Sequence, residues 1–116
     1  MWIEGAKYVA ELQGTNQKYN VAVAMLIHAI IKANDTLTIK FLNMTSRRHD
    51  DASRFFEDLI KKSFVKAEYA NYGEIIQEAI HMKAKAEYRL SFFSKNDFES
   101  LRRKAEKFMR LVESIV

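Results

Sequence analysis

The sequence predicts an all-α fold: a bundle of about five helices with a long central second helix, in a single domain spanning residues 1–116. The chain has no proline and only three glycines, which removes most of the residues that form the tight turns of β-sheet proteins. Apolar residues recur three and four positions apart, as on one face of a helix. Because 48% of the residues are hydrophobic and 29% charged, the composition is that of an ordinary globular domain.

The first two helices are predicted in the N-terminal third of the chain. A short helix is expected over residues 3–12, and Gly14 is its natural stop. The second helix follows Thr15 or Asn16, either of which can cap it, and it runs to about Asn43. Its first half is apolar on almost every face, which is what a helix surrounded by other helices requires. We therefore expect the second helix to form the centre of the bundle.

The third predicted helix begins at Asp50 or Asp51, since either carboxylate can cap the free amides and face the positive end of the helix dipole. Its apolar residues have the spacing of one helical face. These residues are Ala52, Phe55, Phe56, Leu59 and Ile60. Residues 64–73 mix aromatic residues with Asn71 and Gly73, so we expect a turn or a kink before the fourth helix.

The fourth helix is predicted over residues 74–90 and the fifth over the remainder of the chain. Ser94 and Asp97 have the spacing of a capping pair for the fifth helix. The core side of the fourth helix is expected to contain Ile75, Ile76, Ala79, Ile80 and Ala86. The core side of the fifth is expected to contain Phe98, Leu101, Ala105, Phe108, Val112 and Ile115.

Nineteen basic against fifteen acidic residues give a net charge of +4, which favours acidic or phosphate-bearing partners without requiring nucleic acid. The fifth helix carries a basic surface, which we expect to be solvated because Phe98 and Phe108 lie on its core side and not among the cations. The basic residues are Arg102, Arg103, Lys104, Lys107 and Arg110. Ion pairs are expected at spacings of four residues, between Glu99 and Arg103 and between Glu106 and Arg110.

The absence of cysteine excludes disulfides, thiolate zinc sites and a cysteine nucleophile, and it fits a reducing compartment. The N-terminus lacks the pattern of a signal peptide. The longest apolar stretch, residues 21–31, is shorter than the roughly 20 residues that cross a bilayer. We therefore expect a cytoplasmic protein that does not span a membrane.

A candidate phosphate site precedes the third helix. Arg47, Arg48 and His49 lie just before an expected helix N-terminus, where free amides and the dipole favour an anion. Because an unperturbed imidazole titrates near neutrality, a histidine at position 49 could transfer protons. The alternative is a solvated loop whose arginines pair with Asp50 and Asp51.

A second candidate is Lys83, a cation beside the apolar stripe of the fourth helix, where it needs a partner. Asp35 on the central helix is the candidate partner, and the alternatives are a structural ion pair or a lysine whose ammonium reaches water. Tyr88 is expected to pack its ring and place its hydroxyl on a polar group. Glu78 and His81 form a single Glu-x-x-His pair, whereas di-metal bundles need two, so we predict no metal centre and no cofactor.

Several stretches together resemble the HEPN family, the "higher eukaryotes and prokaryotes nucleotide-binding" helical domains. Residues 19–22, with His28 and Asp35 on the same helix, are similar to the family's Tyr-Asn-x-Ala start. Residues 46–51 are similar to its loop into the third helix. Residues 83–88 are similar to its basic-x-x-Ala-acidic-Tyr segment, and residues 105–108 to its closing Ala-x-x-Phe helix.

The resemblance implies an up-and-down bundle, commonly dimeric, that binds nucleotides or RNA, pairs with a nucleotidyltransferase partner, or cleaves RNA. Ribonuclease members have a histidine roughly four to six residues after an arginine, a spacing that this sequence lacks. We therefore expect a non-catalytic module that uses Arg47, Arg48, His49 and Lys83 in a dimer cleft, supported by Asp35 and Tyr88. The alternatives are a divergent metal-independent ribonuclease, with His49 as its general acid/base, and a purely structural interaction protein.

Overall fold

The computed structural model describes Ile3 and residues 17–46, 49–87 and 93–116. Within these residues the fold is all-α, as predicted, with four α-helices and one short 3-10 helix. They are α1 (Gln17–Leu42), α2 (His49–Lys61), η1 (Ala67–Tyr72), α3 (Gly73–Glu87) and α4 (Lys95–Ile115). The first predicted helix lies outside the described residues, as do Gly14, Thr15 and Asn16, except that Ile3 is helical and packs against the core.

Helix α1 corresponds to the predicted second helix, and its central position is confirmed. Helices α2, α3 and α4 all pack against it, and fully buried residues occur along most of its length. These residues are Ala22, Val23, Leu26, Ile30, Asn34, Leu37 and Thr38. The helix ends where Asn43 takes a left-handed conformation, with φ of 54°, which is one of the ways in which helices stop.

Helix α1 is also long and apolar enough, over Tyr19–Leu42, to cross a membrane by length and composition. This differs from the expectation based on residues 21–31, because moderately polar residues extend the apolar segment at both ends. More than half of the segment is buried inside the bundle. The core helix of a soluble protein has the same features, so they are weak support for a membrane span.

The chain between α1 and α2 turns back along the last turns of α1. The Met44 N–H donates to the Thr38 carbonyl at 3.3 Å, and the Ser46 hydroxyl donates to the Asp35 carboxylate at 2.9 Å. We call residues 43–46, the described residues between α1 and α2, the return loop. Because of this reversal, α2 begins beside the body of α1 and not beyond its end.

The return loop changes the topology from the one that the resemblance implies. The Phe93 N–H donates to the Asn20 side chain at 2.8 Å, and Lys40 Nζ donates to the Ile115 carbonyl at 3.2 Å. Helices α1 and α4 are therefore parallel, whereas strict up-and-down alternation over four helices would make them antiparallel. The up-and-down prediction is wrong for the described helices. The reason is that the return loop runs back along the last turns of α1, so that α2 does not begin at the end of α1.

The boundaries of α2 and α3 differ slightly from the predicted ones. Helix α2 begins at His49, so Asp50 and Asp51 lie in its first turn and do not cap it; acidic residues are favourable there as well. It ends in a Schellman motif, in which Ser63 has φ of 61° and the Phe64 N–H returns to the Leu59 carbonyl at 3.0 Å. The expected turn within residues 64–73 is confirmed, and much of it is η1.

The predicted core sides are largely confirmed. In α2, Ile60 is half-buried and the other four predicted residues are buried. In α3, Ile80 is half-buried and the side chain of Ala86 lies outside the described residues, while the other three are buried. In α4, Ile115 is half-buried and the rest are buried, together with Leu111.

The start of α4 is a capping box, as the spacing predicted. The Asp97 N–H donates to Ser94 Oγ at 3.1 Å, and the Ser94 N–H donates to the Asp97 carboxylate at 2.9 Å. Two free donors at the helix start are thereby satisfied. The capping box sets where α4 begins, and therefore which of its residues face outward.

Candidate ligand-binding site

The phosphate site predicted before α2 falls largely outside the described residues. Arg47, Arg48 and Tyr88 are not described, and neither is the side chain of His49, the first residue of α2. The chain on either side of the two arginines is anchored to α1. Ser46 bonds to Asp35, and the Asn34 side-chain amide donates to the Ala52 carbonyl at 3.0 Å. These contacts hold both ends of the segment that carries the predicted cations.

Asp35 has a different role from the predicted one. Among the described residues, its carboxylate bonds to the hydroxyl and N–H of Ser46, at 2.9 and 3.5 Å, and not to Lys83. The expected ion pair with Lys83 is therefore wrong. The physical reason is local, since the return loop brings Ser46 onto the carboxylate, where it can donate twice.

Lys83 is half-buried on α3, and the packing of α2 against α3 places it relative to His49. Gln77 donates to the Ser53 hydroxyl at 3.2 Å, and Gly73 faces the Phe56 ring, so the two helices are antiparallel. His49 lies four residues before Ser53 and Lys83 six residues after Gln77, which at 1.5 Å per residue displaces them about 6 and 9 Å in the same direction. The two residues therefore lie toward the same end of the α2–α3 pair.

The ion pairs predicted on α4 are replaced by others. Arg102 donates to Glu99 at 2.7 Å and to Glu106 at 3.3 Å, so it takes the acids that were expected to pair with Arg103 and Arg110. Arg102 can do this because it lies three residues after one acid and four before the other. The hydrogen bond to Glu99 is the largest cause that raises the pKa of Arg102 above its usual value. Burial opposes the rise, and the nearby charges of Glu99 and Glu106 add to it.

Lys104 is also neutralised, by a residue of another helix. Its Nζ lies 2.6 Å from Glu78 of α3, so Glu78 serves an interhelical ion pair. Among the described residues, no group of three or more histidine, aspartate or glutamate side chains could hold a metal ion. Through its ion pair with Lys104, Glu78 helps to dock α3 on α4.

Apart from Lys95 at the start of α4, three cations of this helix differ from Arg102 and Lys104 in having no such partner among the described residues. Arg103, Lys107 and Arg110 are exposed, and none of them forms an ion pair with any residue that the structure describes. Their spacings of four and three residues place them in one row. We call these three residues the basic stripe.

Two tyrosines of η1 lie beside the basic stripe. Tyr69 and Tyr72 form an edge-on pair with ring centroids 5.4 Å apart, and Lys107 Nζ lies 4.9 Å from the centroid of the Tyr72 ring. Together with Arg110, Leu111 and Ser114 they line an open pocket of about 370 Å³. We call it the tyrosine pocket. Its volume is at the lower end of the range for small-molecule sites.

The chemistry of the tyrosine pocket suits an anionic, aromatic ligand. Lys107 and Arg110 can bind a phosphate, and aromatic rings provide faces on which a nucleobase can stack. Neither tyrosine hydroxyl forms a hydrogen bond with the described part of the chain, so both can donate to or accept from a ligand. The Ser114 hydroxyl is already used, because it donates to the Leu111 carbonyl at 2.6 Å.

Sequence reasoning missed the tyrosine pocket. It looked for aromatic residues among the cations of the last helix, where Phe98 and Phe108 face the core as expected. The aromatic partners come instead from η1, the segment expected to turn or kink. The available signal was two tyrosines three residues apart in a segment without a regular apolar face.

The resemblance to HEPN domains concerns residues 19–22, 46–51 and 83–88. The described parts of these segments are helical or belong to the return loop. Comparisons of the chain with protein-family models, with curated proteins and with solved structures gave no match. Membership of the HEPN family therefore stays a prediction from those residues.

Proposed function

We propose that this protein is a non-catalytic, HEPN-like module that binds nucleotides or RNA. The observation that carries the proposal is the tyrosine pocket, where two aromatic rings meet two cations that have no acidic partner in the described chain. A base–aromatic stack contributes about 1–3 kcal/mol per base. Phosphate groups add a salt-dependent term through the cations.

The electrostatic environment supports an anionic ligand. The chain carries a net charge of +4, and the basic stripe concentrates on one face of α4 three cations that pair with no acid in the part of the chain that the structure describes. An exposed cation already paired with a carboxylate would have to give up that partner to bind phosphate. Arg103, Lys107 and Arg110 need not do so, whereas Arg102 and Lys104 must.

We assign a second phosphate-binding region to the residues identified from sequence, namely Arg47, Arg48, His49 and Lys83. Two observations support it. The chain is hydrogen-bonded to α1 before the arginines through Ser46 and after them through Ala52. His49 and Lys83 lie toward the same end of the α2–α3 pair. Asp35 then acts by holding Ser46 in place. Tyr88 keeps its proposed supporting role.

We further propose that the module acts as a cytoplasmic homodimer. Large hydrophobic residues remain exposed near the end of the bundle where α1 and α4 finish, which is typical of a surface that is covered by a partner. These residues are Ile39, Met44, Phe64 and Val116, each between 42% and 57% exposed. A nucleotidyltransferase bound at the same end is the alternative partner.

Equilibrium binding of labelled ATP and of labelled single-stranded RNA tests the function directly. We expect Arg110→Glu and Tyr69→Ala each to weaken binding at least tenfold, because one reverses a charge in the pocket and the other removes a stacking face. Lys95→Glu is the matched control. It makes the same charge change on the same helix about 22 Å from Arg110, well beyond the screening length of about 8 Å at physiological salt.

Several results would contradict the proposal. Absence of saturable binding in the wild-type protein would contradict the function, and equal binding by wild type and Arg110→Glu would contradict the site. Incubation with mixed RNA without added metal supplies a further measurement, since we expect no cleavage. Cleavage that is lost in His49→Ala would establish the ribonuclease alternative.

A further inference from the structure

We infer that the tyrosine pocket is one end of a track for single-stranded nucleic acid, which follows α4 from Tyr69 and Tyr72 along the basic stripe to Arg103. This inference rests on the proposed nucleotide-binding function and names the form of its ligand. A mononucleotide would fill only the pocket. A single strand would place a base on the tyrosines and successive phosphates on Arg110, Lys107 and Arg103.

Arg103 lies outside the tyrosine pocket but in the same row as the two cations that line it. It continues the row of Lys107 and Arg110 one helical turn farther along α4. The rise of 1.5 Å per residue separates Arg103 from Arg110 by about 10 Å along the axis. This spacing suits separate phosphates spread along the helix, as in a strand, better than the single phosphate of a nucleoside monophosphate.

The contrast with neighbouring cations is the second argument. Arg102 and Lys104 flank Arg103 in sequence, and both are held by carboxylates at 2.6 to 3.3 Å. Arg103 is exposed and is not held in this way by any described residue. The available positive charge of α4 therefore forms a narrow row and not a broad basic surface.

The acidic residues beside the row provide the third argument. Glu99, Glu106 and Glu113 repeat at intervals of seven residues, which places them along one flank of the basic stripe. Glu99 and Glu106 are paired with Arg102, and Glu113 is exposed. Because Arg102 neutralises Glu99 and Glu106, the exposed Glu113 is the acid of this flank that would oppose a second phosphate backbone, so the charge pattern favours a single strand over a duplex at the Glu113 end.

The arrangement also orients the strand. Lys107 Nζ rests over the Tyr72 ring and lies between Arg103 and Arg110 in the row, so it can contact the phosphate adjacent to a stacked base. Stacking selects no particular base, because every base has an aromatic face. We therefore expect length to affect binding more strongly than sequence.

The test measures fluorescence anisotropy of the full chain with labelled mononucleotide and with oligonucleotides of two, four and eight nucleotides, as RNA and as DNA. We expect the affinity to rise at least tenfold from the mononucleotide to the tetranucleotide. From four to eight nucleotides, the affinity per binding site should change little. Arg103→Glu should weaken tetranucleotide binding about tenfold and leave mononucleotide binding within twofold. Lys95→Glu should change neither.

The salt dependence gives a second measurement. For single strands the slope of log K against log salt is roughly −0.7 per phosphate contacted, so three contacts predict a slope of about −2. Arg103→Gln, which keeps a polar side chain on the exposed helix face, should reduce the magnitude of this slope by about 0.7. An unchanged slope would show that Arg103 does not contact a phosphate of the strand.

The outcomes separate the track from the proposed function. If the protein binds a mononucleotide and its affinity does not increase for longer oligonucleotides, the track is overturned and the proposed function is left in place. Absence of binding to any nucleotide would overturn both. A duplex, a polyglutamate peptide or an anionic vesicle that binds as tightly as the tetranucleotide would also overturn the inference. Tighter binding of RNA than of the matching DNA would assign the track to RNA, and equal binding would support a strand of either kind.

Discussion

The two longest helices, α1 and α4, lie side by side in the same direction, but they expose different chemistry. Where α1 reaches the surface it presents apolar residues, Val21 and Ile39 at 45% and 51% exposure, alongside Lys32, Thr36 and Lys40. Where α4 reaches the surface it presents charged residues such as Arg103 and Arg110. Helix α1 is therefore mainly a core helix, whereas α4 is buried on one side and charged on the other; these outer surfaces are where we propose a partner and a ligand to bind.

The number of neighbours explains this difference. Helix α1 packs against α2, α3 and α4, so apolar residues are required on most of its faces. Helix α4 packs mainly against α1 and less extensively against α3, so its buried side is a single seam. Its other faces are free to carry charge.

The strongest test of the comparison removes volume from the middle of α1. Ile30→Ala should lower the free energy of unfolding by about 2–5 kcal/mol, because Ile30 is fully buried and its truncation leaves a cavity. Urea unfolding followed by circular dichroism measures this loss. The control is Val21→Ala on the same helix, which should change the free energy of unfolding by about 0.5 kcal/mol or less, as at most surface sites. Equal losses of unfolding free energy in the two variants would contradict the central position of α1.

A second test asks whether the exposed apolar residues of α1 make a dimer contact. Ile39→Glu should raise the dissociation constant of the homodimer at least tenfold, which corresponds to about 1.4 kcal/mol, because a charge would have to be desolvated in the interface. Sedimentation equilibrium at micromolar concentrations measures it. Arg103→Glu on α4 should leave the dissociation constant unchanged. A wild-type protein that sediments as a monomer would contradict the dimer.

The smallest expected effect concerns the cap that sets the start of α4. Ser94→Ala should lower the free energy of unfolding by about 1 kcal/mol, since it leaves the Asp97 N–H without its side-chain acceptor. Thermal and urea unfolding both measure this change. The control is Ser100→Ala within the same helix, where alanine is the better helix former by a few tenths of a kcal/mol. A loss in Ser100→Ala as large as that in Ser94→Ala would show that the capping box contributes nothing specific.

The parts of the fold that depend on local spacing were predictable. The seam of α4 and the Ser94–Asp97 capping box follow from periods of three and four residues, and both are confirmed. The central position of α1 followed from an apolar run without a polar face. These features involve residues within a few turns of one another, where sequence separation determines distance.

The candidate site could not be predicted in the same way. Tyr72 and Lys107 are 35 residues apart in sequence, and they meet only because η1 docks beside α4. The Arg102 pairs show the same difficulty on a smaller scale. Spacing alone allows Glu99 to pair with Arg102 or Arg103, and Glu106 to pair with either of these or with Arg110; side-chain orientation selects Arg102.

The sequence by itself determined that this chain is helical, which helix lies at its centre and which side of the last helix is buried, since these properties depend on the period of the chain. Only the tertiary structure decided that Asp35 holds Ser46, that α4 runs parallel to α1, and that two tyrosines lie next to cations with no carboxylate partner among the described residues. The physical reason is that each of these contacts joins segments whose separation in space is set by packing between helices.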